Sequence, residues 1–143
     1  MDEYLLKGFK KICKGWGVDC KMLSPLQLAY VGDAVYELFV RTYLLGTKNI
    51  SVNELHKEAI EFVKAKAQAD IIHNLEDKLT EEEWQMVKRG RNAKSGSAPK
   101  NANLLDYKYA TGFETLVGFL YLTERYDRIL EIFSIIIGEQ ESK

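Results

Sequence analysis

Apolar positions along this chain recur every three to four residues, and nowhere do they alternate with the two-residue rhythm of a strand. Tyr4, Leu5, Phe9 and Ile12 line one face of a helix expected over Glu3–Lys14, and Gly15-Trp16-Gly17 breaks it. Ser24-Pro25-Leu26-Gln27 reads as a helix start: a serine cap, proline at the first helical position and glutamine three residues after the cap. That helix is expected to reach about Leu45 and to end at Gly46. Ser51 with Glu54 is a second capping box, opening one long helix through Leu55, Ala59, Phe62, Val63 and Ala67 toward Leu75. Thr80 with Glu83 opens another, which carries Trp84 and Val87 and frays near Gly90; Glu81, Glu82 and Glu83 complement its positive end. Residues 93–105 lack periodicity and hold Gly96, Pro99, two serines and two asparagines before Leu104, so they read as a loop. Helices are expected again from Asp106 to Thr123 and from Arg125 to Ile137. The fold class is all-α with about six helices.

Two of these helices depart from the amphipathic norm. Pro25 to Leu45 is apolar almost all round, and its only charges, Asp33, Glu37 and Arg41, fall at i, i+4 and i+8 on one narrow stripe. Tyr109 to Leu122 carries Glu114 alone among Phe113, Leu116, Val117, Phe119, Leu120 and Tyr121. Burying an unpaired carboxylate is costly. Either each acid meets a buried arginine or hydroxyl, or the two converge on one cation. Hard divalent cations take oxygen ligands, and magnesium takes one or two carboxylates while keeping several waters. Gly112 and Gly118 each cost ~1 kcal/mol against alanine inside a helix, which points to close packing there.

A length of 143 residues suggests one domain, 1–143, large enough for a core without staples. No apolar stretch is long enough to span a bilayer, the first residues do not resemble a secretory signal, and two cysteines, Cys13 and Cys20, suit a reduced cytoplasmic setting. The net charge of −1 hides an asymmetry: Lys88 to Leu105 holds five basic residues (Lys88, Arg89, Arg91, Lys94, Lys100) and no acid, leaving −6 on the remainder. This is either one basic surface on an acidic protein or a solvated loop. Arg89 and Arg91 could equally complement the negative end of their helix. Lys64, Lys66 and Gln68 read as a solvated face, and His56 and His73 lack the partners of a metal or nucleophile site.

Three local sequences carry a resemblance. Leu28-Ala29-Tyr30-Val31-Gly32-Asp33-Ala34-Val35 resembles the signature helix of the ribonuclease III family, and Thr111-Gly112-Phe113-Glu114-Thr115-Leu116 with Tyr121-Leu122 resembles its second acidic helix. The run from Arg89 through Lys94, Lys100 and Asn101 narrows the match to the Mini-ribonuclease III branch, the catalytic domain without a double-stranded-RNA-binding domain. The similarity covers about Ser24 to Leu122, in order. It implies a dimeric, all-α ribonuclease III-like endonuclease that uses Mg²⁺, with Mn²⁺ as substitute. The implied substrate is double-stranded RNA, notably the 23S ribosomal RNA precursor, cut to 5′-phosphate and 3′-hydroxyl ends, with a ribosomal protein as a candidate helper. By position Asp33 and Glu114 match the family's essential metal-binding acids. Lys94, Lys100, Asn101, Arg89 and Arg91 are the candidate RNA contacts, since duplex RNA is read through shape, phosphate and 2′-hydroxyl groups. The chain departs from the full-length pattern at Leu26, Ala29 and Thr111, where acids are usual. Glu37, one turn beyond Asp33, is a candidate replacement ligand; the alternative is an i, i+4 ion pair with Arg41. Tyr36, Phe39 and Tyr43 are candidates for the dimer seam. Two other readings are a non-catalytic RNA-binding module, against which both retained acids count, and a helical nucleotide phosphohydrolase, which would need His-Asp pairs absent here.

Overall fold

The computed structural model describes residues 3–13, 15–94 and 103–142, and these are helical, with no strand among them. Seven α-helices follow in order: α1 (Glu3–Ile12), α2 (Pro25–Thr47), α3 (Val52–Val63), α4 (Ala65–Leu75), α5 (Glu81–Arg91), α6 (Leu104–Leu122) and α7 (Tyr126–Glu141). Short 3₁₀ turns precede α2 and α5. Among the described residues no helix is long and apolar enough to cross a membrane.

The expected starts hold. Ser24 and Gln27 form a reciprocal capping box, as do Thr80 and Glu83. Ser51 caps α3 through the Glu54 amide, while the Glu54 carboxylate accepts from the Ser51 hydroxyl instead of closing the box. Three expectations change. Gly46 does not end α2, which runs to Thr47. The α6 start moves back to Leu104 because the Asn103 side chain accepts from the amides of Leu105 and Asp106. The long middle helix is two helices, broken at Lys64, whose backbone is extended (φ −61°, ψ 153°). Neither proline nor glycine marks this break; the Gln68 side chain supplies the reason, since its Nε2 takes the Val63 carbonyl at 2.7 Å.

Helix α6 is the central shaft, packed by α2, α4, α5 and α7. From Ala110 to Leu122 every residue except Glu114 is buried. Tyr36 of α2 meets Phe113 edge-on, with ring centroids 5.0 Å apart, and Phe39 stacks on Phe133 of α7 at 4.1 Å. On the far side Arg128 of α7 grips the buried Glu83 of α5 with two hydrogen bonds, at 2.8 and 2.9 Å. Burial alone would raise the Glu83 pKa, but the Arg128 and Thr80 hydrogen bonds outweigh it and hold the carboxyl below its ordinary value.

Among the described glycines, the tightest contacts lie between α2 and α6. A methyl group at Gly118 would lie against the Leu28 carbonyl, 2.7 Å from its carbon, and one at Gly32 would lie 2.7 Å from the Gly118 nitrogen and against the Glu114 carbonyl. Both neighbours are backbone and cannot move aside alone. A second close contact joins α5 to α6, where a methyl group at Gly90 would sit 2.8 Å from the Gly112 Cα.

Gly118→Ala is therefore expected to destabilise the protein, by at least the ~1–3 kcal/mol typical of overpacking, despite its better helix propensity. Gly46→Ala, in the last turn of α2 and with nothing within 4 Å of the added carbon, should stabilise by at most the ~0.5–1 kcal/mol of a mid-helix glycine. Urea unfolding of both variants checks this; equal midpoints would contradict the packing account.

Candidate functional site

The Gly32–Gly118 crossing decides what its neighbours do. Asp33 follows Gly32 on α2, and Glu114 precedes Gly118 by one turn on α6, so the two carboxyl groups face one another and hydrogen-bond. Asp33 is exposed at the mouth of the site, contrary to the buried position expected from its helix, and Glu114 stands half-buried behind it. Burial and then the Asp33 charge push the Glu114 carboxyl up to about 8. Two acids held so close repel when both are ionised, and a hard cation between them would relieve that repulsion. Among the described residues no three His, Cys, Asp or Glu side chains gather at one point, so the donor set is two carboxylates. That set suits magnesium or manganese, which accept few protein oxygens and keep water. Among the described residues the partners acting on Glu114 are Asp33 and Gln68, not a buried arginine or hydroxyl.

Glu37 takes the ion-pair option, with Arg41 Nη2 2.8 Å from its carboxylate. Gln68 does not lie on a solvated face: it is 3% exposed, and its amide hydrogen-bonds to Glu114. This residue was missed although its spacing gave it away. Gln68, Ile72 and Leu75 are i, i+4 and i+7 on the buried face of α4. Lys64 and Lys66 are solvated as expected, paired with Glu61 and Asp70.

The basic end of α5 is brought beside the same stretch of α6 by the Gly90–Gly112 contact. Arg89 is exposed and reaches the Leu23 carbonyl at 3.4 Å, just before α2 begins. Arg91 lies over the Tyr109 ring, 5.7 Å from its centroid, and His73 packs on that ring at 4.4 Å. Lys94 is exposed. Lys100 and Asn101, the other candidate RNA contacts, lie outside the described residues. Tyr36 cannot serve a dimer seam: it is 1% exposed and donates its hydroxyl to the Phe62 carbonyl.

Residues 26–125 match the ribonuclease III domain family. The chain is 50% identical to the Mini-ribonuclease 3 of Clostridium tetani, covering 86% of this chain and 82% of that protein. It is 49% identical to the Mini-ribonuclease 3 of Brevibacillus brevis, over 85% and 93% of the two chains. Among solved structures, an X-ray structure of a protein from Fusobacterium nucleatum superposes with a TM-score of 0.76 at 33% identity, covering 85% of this chain and 98% of that one.

The raised Glu114 carboxyl has a consequence for stability. Without divalent ions the unfolded chain loses this proton near 4.5 and the folded chain only near 8. Between those values the folded state binds the extra proton, so this contribution is fully present at low pH and is lost as pH rises toward 8. Asp33→Asn removes the neighbouring charge and should make that decline shallower. Denaturant unfolding of both proteins across this window, in chelator, checks it; parallel profiles would contradict the coupling of the two acids.

Proposed function

The chain belongs to the ribonuclease III family and within it to the Mini-ribonuclease 3 group, and we propose that Asp33 and Glu114 are the acids through which it cleaves double-stranded RNA with Mg²⁺. The endoribonuclease activity follows from the family; the observation that supports these two residues as its carriers is the facing carboxyl pair at the α2–α6 crossing. Asp33 and Glu114 would hold the cation, with Mn²⁺ as a substitute. A bound divalent ion supplies a Lewis acid for the phosphodiester and lowers the pKa of a bound water. Asp33, at the open edge, meets the RNA side, and Glu114 anchors the pair to the rigid centre of the fold. Glu37 neutralises Arg41 in this reading. Arg89, Arg91 and Lys94 take phosphate oxygens of the duplex, a role that fixes register without reading sequence. Lys100 and Asn101 remain candidate RNA contacts on the resemblance of their segment alone. The products would carry 5′-phosphate and 3′-hydroxyl ends, and the cellular substrate would be the cytoplasmic 23S ribosomal RNA precursor, presented with the help of a ribosomal protein.

We place the dimer seam on α2 and α7. There an open apolar groove of about 200 Å³ is lined by Val35, Leu38, Phe39, Tyr126, Ile129 and Leu130, among others. Leu38 is 51% and Leu130 59% exposed, and a symmetric pairing through this face would present two sites to the two strands. Tyr43 is less suited, since its hydroxyl is engaged by Glu141 at 3.2 Å.

Asp33→Asn is expected to slow Mg²⁺-dependent cutting of a long RNA duplex by at least about a thousandfold, or ~4 kcal/mol of barrier, with duplex binding retained. Cleavage at the wild-type rate by the purified variant would refute the assignment. Leu38→Glu with Leu130→Glu should give a folded monomer in sedimentation at micromolar concentration. A dimer that survives both changes would place the seam elsewhere.

A further inference from the structure

Gln68 has an unexplained oxygen. The residue is 3% exposed. The amide Nε2 donates to the Val63 carbonyl at 2.7 Å, and the amide hydrogen-bonds to the Glu114 carboxyl. Its Oε1 is buried and has no hydrogen-bond partner. A buried acceptor left without a donor costs about 1–3 kcal/mol. Turning the amide over does not help, because that would set Oε1 against the Val63 carbonyl oxygen. The bond to Val63 therefore fixes the oxygen as the free atom, on the same planar group that contacts Glu114.

We propose that the Gln68 side-chain carbonyl is the third oxygen of the site, accepting a hydrogen bond from a water on the cation held by Asp33 and Glu114. This rests on the reading of that pair as a cation site. Waters on a hard divalent ion are strong donors, and groups that accept from them orient the shell around the metal. An amide suits the place better than another acid. Two carboxylates already balance the charge of one divalent ion, and a third would add to the repulsion present without metal. Gln68 is thus a positioning residue, and its location at the α3–α4 break ties the site to that bend in the chain.

The test uses Mn²⁺ alone as probe, without RNA, on the intact protein, following loss of the free-ion EPR signal. Gln68→Met keeps the length and removes both polar atoms; it should weaken Mn²⁺ binding about tenfold or more. Gln68→Glu also loses the donor to Val63 but keeps an acceptor oxygen, and should bind at least as tightly as wild type. Wild-type affinity in Gln68→Met, or a loss in Gln68→Glu as large as in Gln68→Met, would overturn the proposal and leave Gln68 as a clamp on Val63. Should Gln68→Met fail to fold, Gln68→Glu decides alone: weaker binding than wild type overturns it. Asp33→Asn is the control. If wild type and Asp33→Asn bind Mn²⁺ equally poorly, the cation reading itself falls, and this inference with it. If only Asp33→Asn loses the ion, the reading stands and Gln68 is judged by its own variants.

Discussion

Two helix backbones in contact at Gly32 and Gly118 set the geometry on which everything else in this protein depends. Side chains normally hold packed helices 8–10 Å apart. Removing them at the crossing lets α2 and α6 approach until a single methyl group would strike main-chain atoms. Asp33 and Glu114, one residue and one turn away from these glycines, then have no freedom to avoid each other. The Gly90–Gly112 contact repeats the device between α5 and α6 and carries Arg89 and Arg91 toward the same region. Around this frame the aromatic cluster of Tyr36, Phe113 and Phe133 fills the space one turn along, which keeps the crossing from sliding.

The arrangement sets stability against function. A carboxyl group driven up to about 8 by burial and a neighbouring acid is an unfavourable element in the metal-free fold. So is the buried, unpartnered oxygen of Gln68. On our proposal both would become favourable with a hydrated divalent ion bound, because such an ion would attract the carboxylates and its waters would donate to the amide oxygen. Glu83, buried between α5 and α7, is by contrast matched by Arg128, and the two unmatched groups at the α2–α6 crossing are what support our proposal of a ligand there.

Much of this was legible in the sequence, for identifiable reasons. The three capped starts announced α2, α3 and α5 because capping chemistry is local. Lone acids on apolar runs announced Asp33 and Glu114 because period and charge are read directly. Gly112 and Gly118 announced close packing because glycine inside a helix needs a reason. What escaped depended on tertiary contacts. The α3–α4 break has no breaker residue and exists because Gln68 captures the Val63 carbonyl. Gln68 sits in sequence between lysines that suggest a solvated face, although its spacing with Ile72 and Leu75 belongs to the buried face of α4. Tyr36 was expected near a seam and is instead a core residue, since an apolar helix offers no sequence signal for which of its faces meets its own chain. The exposure of Asp33 was hidden for the same reason.

On our proposal Asp33 and Glu114 together hold one divalent cation. The most direct measurement is an anomalous difference map from crystals grown with Mn²⁺. A single strong peak is expected between the two carboxylates, lost in crystals of Asp33→Asn. A peak bound by other residues, or no peak at this crossing under conditions in which the enzyme cuts RNA, would contradict it.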